Sequence, residues 1–118
     1  MALNERDMNL LGHMLDYCDD ILDTVDRFGK SMEAFRADKA YRNACAMCIL
    51  QIGELAGHLS EAFRIGHPQM PWSEIRAMRN VVAHAYGSIS VQTTWETIEQ
   101  DIPALRSFCA GILETKDE

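Results

Sequence analysis

The segment from Arg79 to Tyr86 brings together side chains that can act on a phosphate ester. Arg79 and Asn80 supply a guanidinium and an amide, while His84 and Tyr86 add an imidazole and a phenol. Arginine presents a planar fork of donors to phosphate oxygens, and histidine can accept and return a proton near neutral pH. Because this set can handle a phosphodiester without a metal ion, the segment predicts metal-independent chemistry that needs no cofactor.

Each of these residues also has an ordinary structural interpretation. Arg79 can be a solvated helix cation, and Asn80 a surface amide. His84 can cap a helix C-terminus, and Tyr86 can be a ring at the edge of the core. The residue types alone leave these alternatives open.

The distribution of charge favours the same segment as the place where an anion binds. The chain has 118 residues and a net charge of −7, which argues against non-specific nucleic-acid binding over its whole surface. Residues 64–86 alone carry a net positive charge, because Arg64, Arg76 and Arg79 outnumber the single acid Glu74. Arg76 is therefore expected as a further contact to phosphate.

The elements that must position these residues are predicted to be helices, since apolar side chains recur every three or four residues and no sustained alternation occurs. The first helix should end at Gly29, with Ser31 capping a short turn and Asp38 capping the second long helix. The second helix is expected to run on through Phe63. A motif helix from Trp72 to about Ala85 and a last helix capped by Ser90 complete the prediction.

Two residues inside these helices predict local departures from regularity. Gly53 lies in the middle of the second long helix and suggests close approach by a neighbouring backbone, although chance is an alternative. Pro103 interrupts the last helix, so a kink or break is expected near Asp101.

Composition indicates one cytoplasmic domain over residues 1–118. The chain contains no apolar run long enough to span a bilayer, and its start lacks the features of a signal peptide. Its cysteines fall on or beside the apolar stripes, where core packing is a better interpretation than redox or metal roles. They are Cys18, Cys45, Cys48 and Cys109.

These elements predict an all-α fold, a compact antiparallel bundle of four to five helices. On one straight α-helix, Arg79 and His84 would lie about 140° apart, so they could not both reach one phosphate. The arginine stem could wrap around, the helix could end before His84, or a second copy could supply the missing group. We favour a two-fold homodimer, which would place two motifs side by side.

The segment RNVVAHAY resembles the RxxxxHxY signature of the HepT-like toxins of the HEPN superfamily. Further matching positions follow in order over nearly the whole chain; they are Phe35, Asp38, Ile52–Glu54, Pro71–Trp72, Ile75, Trp95 and Asp101–Leu105.

This resemblance implies a HEPN-like helical dimer with a metal-independent ribonuclease site in the cleft between copies. It assigns Arg79 and His84 as the catalytic pair, with Asn80 and Tyr86 in support. It also implies a partner, an MntA-like nucleotidyltransferase antitoxin that attaches AMP to Tyr86. Glu54 matches a family position to which we assign no chemical role.

The chemistry of the catalytic pair then suggests how RNA would be cut. His84 would serve as general base or acid for attack by the ribose 2′-hydroxyl, and Arg79 would neutralise charge on the phosphoryl oxygens. Two alternatives stay open, a non-catalytic module that binds nucleotides or docks a partner, and a purely structural dimer.

Overall fold

The computed structural model describes residues 4–80 and 91–115, and these residues form an all-α bundle without strands. Its helices are α1 (Glu5–Phe28), α2 (Met32–Ala37), α3 (Lys39–His58), α4 (Glu61–Gly66), α5 (Trp72–Ala77), α6 (Val91–Glu96) and α7 (Ile102–Thr115). A 3-10 turn, Met78–Asn80, follows α5, and a π turn, Thr97–Asp101, joins α6 to α7. The predicted all-α fold class is confirmed.

Local capping explains where the first helices begin and end. Gly29 ends α1 with a φ of 114°, a backbone conformation that glycine adopts readily. The Ser31 side chain accepts a hydrogen bond from the Ala34 N–H at 3.1 Å, and the Asp38 carboxylate accepts one from Ala40 at 2.9 Å. The predicted end of α1 at Gly29 and the predicted N-caps Ser31 and Asp38 are confirmed.

The core lies where α1 packs against α3 and α7, with α5 and the 3-10 turn packed against α3. Fully buried side chains from the three long helices include Leu11, Met14, Ile49, Ile52 and Leu105. Among the described helices, none is both long and apolar enough to cross a membrane.

The cysteines belong to this core. Cys18, Cys45 and Cys109 are buried, Cys48 is half-buried, and all four are free thiols. Burial raises the pKa of Cys45 and of Cys109 to about 12. A thiol with so high a pKa stays neutral at physiological pH, which fits the predicted role in packing.

The second long helix differs from its prediction, which carried it through Phe63. Helix α3 ends at His58, and α4 begins separately at Glu61 with Ser60 as its N-cap. The Ser60 N–H and hydroxyl donate hydrogen bonds to the Asp7 carboxylate at 2.9 and 2.7 Å. Because this contact uses the backbone N–H of Ser60, it favours a helix start there over continuation of α3.

The last helix contains the predicted irregularity near Asp101, in the form of a π turn. The Ile102 N–H donates to the Thr97 carbonyl, one residue further back than in an α-helix. Pro103 follows directly; it has no N–H, and its ring would crowd a carbonyl one turn earlier in an α-helix. The wider turn relieves that conflict, so the chain stays helical through this point.

Candidate active site

A surface pocket of about 220 Å³ lies beside α5 and the 3-10 turn. Its lining consists of Ser73, Arg76, Ala77, Arg79 and Asn80, all of them exposed residues. The residues that share this open recess therefore carry two guanidinium groups, a hydroxyl and an amide. Such a set of donors suits an oxyanion, and the fork of each arginine suits phosphate in particular.

The buried face of the same segment orients the pocket. Trp72, Ile75 and Met78 follow one another at three-residue spacing, and all three are buried. The Trp72 indole N–H donates to the His67 carbonyl at 2.9 Å, which anchors the first residue of α5. Arg76 and Arg79 each follow one residue after a member of this buried row, and both are exposed, so they flank the row on its solvent side.

Close backbone contact with α3 sets the position of Arg79. A Cβ atom built on Gly53 would clash with the backbone nitrogen of Arg79 and would lie 3.1 Å from its Cα atom. Only a residue without a side chain allows the 3-10 turn to rest on α3 in this way. The predicted close approach at Gly53 is confirmed.

The electrostatics of the recess are positive. Among residues 4–80 and 91–115, neither Arg76 nor Arg79 has an acidic partner within 4.0 Å. Glu74, the acid of α5, is absent from the pocket lining. Burial and, next, the negative charge of Glu74 raise the pKa of the Asp101 carboxyl.

The predicted site residues divide into two groups. Arg76, Arg79 and Asn80 come together in the pocket. His84 and Tyr86 lie outside the described residues, as does Ser90, the predicted cap of the last helix.

The prediction of one α-helix from Trp72 to about Ala85 needs correction. The α-helix ends at Ala77, and Arg79 and Asn80 belong to the 3-10 turn. The straight α-helix on which the angle of about 140° was based is therefore interrupted before Arg79, and His84 lies outside the described residues. The α-helix gives way to a 3-10 turn where the chain packs against Gly53 of α3. Helix propensity along residues 72–85 does not reveal this contact.

Two contributors to the site were absent from the prediction. Ser73 lies three residues before Arg76 and seven before Asn80, a helical spacing that could have identified it. Gly57 of α3 faces Arg76, whose Nε atom lies 3.9 Å from the place a Cβ would occupy. No feature of the sequence near Gly57 points to that contact.

Comparison with known proteins identifies the lineage of this fold and site. The family model described as "Ribonuclease HepT-like" matches residues 14–112. The chain belongs to the HepT-like ribonuclease family. The resemblance inferred from the motif is thereby confirmed, and membership identifies the chain as a ribonuclease.

Individual relatives of this HepT-like chain agree. It is 32% identical to a protein named probable ribonuclease HepT from Thermococcus cleftensis, over 77% of this chain and 87% of the relative. It is 34% identical to a candidate RNase from Caldanaerobacter subterraneus subsp. tengcongensis, over 88% of this chain and 91% of the relative. A candidate RNase from Methanocaldococcus jannaschii is 32% identical over 97% of this chain and 96% of its own length. No solved structure matches the chain significantly.

Proposed function

We propose that this protein is a metal-independent endoribonuclease toxin that cuts RNA in a cleft shared by two copies of the chain. The observation that carries the proposal is the exposed pocket in which Arg79 and Asn80 lie next to a second guanidinium, that of Arg76. An exposed recess of this kind can be completed by groups from another copy. We also place the reaction in the cytoplasm, where the four free thiols would stay reduced.

In the proposed reaction, His84 removes the proton from a ribose 2′-hydroxyl, whose oxygen then attacks the adjacent phosphorus. The bond from phosphorus to the 5′-oxygen breaks, and a proton returns to that oxygen. The products are a 2′,3′-cyclic phosphate and a 5′-hydroxyl. Arg79 stabilises the charge that builds up on the phosphoryl oxygens, and Asn80 and Tyr86 help to orient the strand.

Purified protein incubated with end-labelled RNA in excess EDTA tests this mechanism. We expect cleavage to persist, and we expect His84→Ala to lower kcat by about 10²–10⁴ and Arg79→Ala by about 10²–10³. Arg79→Lys should recover only part of the loss, because an ammonium keeps the charge without the planar fork. RNA with a single 2′-deoxyribose before the scissile phosphate should stay whole at that position.

The matched control is Arg27→Ala, which removes an exposed cation of α1 that does not line the pocket. It should cleave like the parent protein. Undiminished cleavage by clean preparations of Arg79→Ala and His84→Ala would refute the assignment. RNA that is bound but never cut by the parent protein would favour a non-catalytic binding module.

The toxin part of the proposal adds regulation by an MntA-like nucleotidyltransferase antitoxin that attaches AMP to Tyr86. The new phosphate would bring a negative charge close to a site that attracts phosphate, and RNA would be repelled. Intact-mass analysis after incubation with ATP and such a transferase should show one added AMP. A Tyr86→Phe variant that still gains AMP would remove Tyr86 from the proposal.

A further inference from the structure

We infer that Arg76 forms a second phosphate subsite for the nucleotide next to the scissile phosphate. This inference rests on the proposed function and names the substrate class more narrowly. The preferred substrate is an RNA that carries a phosphate beyond the one being cut.

The spacing of the two arginines is the first support. Arg76 and Arg79 are three residues apart, and both line the same recess. Side chains at this spacing have Cβ atoms about 5–6 Å apart. That separation lets each guanidinium meet a different phosphate of one strand, while Ser73 and Asn80 add neutral donors within the same recess.

The second support is the position of Arg76 beside Gly57 of α3. Gly57 is exposed in the last turn of α3, and the Nε atom of Arg76 lies 3.9 Å from where its Cβ would be. A glycine inside a helix costs roughly 1 kcal/mol relative to alanine. A methyl group at 3.9 Å from the Nε atom would make only an ordinary contact, so this position of α3 lies directly beside the Arg76 side chain.

The third support is the charge around Arg76. The nearest acid on its own helix, Glu74, is two positions away and does not share its face. Glu74 is not among the residues that line the pocket, and no acidic group of the described residues lies within 4.0 Å of the Arg76 guanidinium. Among the described residues, Arg76 therefore keeps its charge available for a ligand.

Gly57 offers a way to cancel this charge without touching either arginine. Gly57→Glu would place a carboxylate beside the Arg76 guanidinium, whereas Gly57→Ala adds a methyl group at an ordinary contact distance of 3.9 Å. The two variants share the change in backbone freedom and differ in charge. Comparing them separates electrostatics from helix stability.

The experiment measures binding of a fluorescent single-stranded RNA 12-mer by anisotropy over a series of salt concentrations. The full chain carries His84→Ala, so the RNA stays intact. Arg76→Ala and Gly57→Glu should each lower the slope of log affinity against log salt by about 0.7, the value for one lost phosphate contact on a single strand. Near 0.15 M salt, this corresponds to about fourfold weaker binding. Gly57→Ala should match the parent protein.

A slope unchanged in Arg76→Ala overturns the subsite, as does equal weakening by Gly57→Ala and Gly57→Glu. Circular dichroism of each variant confirms that the helical fold is retained. Binding needs no turnover, so the two proposals fail separately. A lowered slope in Arg76→Ala without any cleavage by the parent protein would keep the phosphate contact of Arg76 and reject the nuclease. Cleavage by the parent protein with an unchanged slope in Arg76→Ala would keep the nuclease and reject the contact.

Discussion

At position 53, the lack of a side chain decides how closely the proposed catalytic arginine can approach α3. We expect Gly53→Ala to lower the free energy of unfolding by about 1–3 kcal/mol, because its methyl group would meet the Arg79 backbone, which cannot swing aside. RNA cleavage should fall as well, since Arg79 must shift. Urea denaturation and the cleavage assay measure the two effects. Gly12→Ala in α1 is the control, because a Cβ at position 12 meets nothing within 4 Å. The free energy of unfolding of this variant should rise by up to about 1 kcal/mol. Equal stabilisation by both substitutions would contradict the close contact.

At the scale of helices, the Asp7 carboxylate ties the first turn of α1 to the start of α4. It is only 2% exposed and accepts hydrogen bonds from the Ser60 N–H, the Ser60 hydroxyl and the Asn4 amide. Asp7→Ala leaves these donors without their acceptor, so we expect the free energy of unfolding to fall by about 2–3 kcal/mol. Thermal and urea melts would measure the loss. Asp16→Ala, at an exposed position of the same helix, should stay within about 0.5 kcal/mol of the parent. A loss no larger in Asp7→Ala than in Asp16→Ala would show that the link does not hold the elements together.

At the scale of the whole molecule, the proposed two-fold dimer predicts that two inactive variants can restore activity together. A monomer that carries its complete site does not predict this. If one copy supplies Arg79 and the other His84, inactive Arg79→Ala and inactive His84→Ala proteins should restore activity when their subunits exchange. After complete exchange of an equal mixture, half the dimers are mixed and each has one intact site, so about a quarter of parental activity should return. The RNA cleavage assay measures this recovery. Arg79→Ala mixed with a chain carrying both substitutions has no Arg79 and should stay inactive. If subunit exchange is verified by mass spectrometry and the mixture of Arg79→Ala with His84→Ala still stays inactive, Arg79 and His84 of one site would come from the same copy.

Interactions between near neighbours in the chain were predictable from sequence. The caps at Ser31 and Asp38 and the glycine end at Gly29 depend on residues within one helical turn, and all three were predicted correctly. The all-α class follows from the same local periodicity. The motif likewise identified the HepT-like family, because residue types and their spacing are properties of the chain itself.

Contacts between distant residues were decided only in the tertiary structure. Ser60 starts a new helix because Asp7, far away in sequence, accepts its hydrogen bonds. Arg79 lies in a 3-10 turn packed on Gly53, Ser73 lines the same pocket as Arg76, and Gly57 lies beside the Arg76 side chain. Sequence alone thus determined the helices, the family and the arginines that could bind phosphate. Packing between helices decided where α3 and α5 end and which donors share the pocket, because those outcomes depend on distances through space that local propensity does not encode.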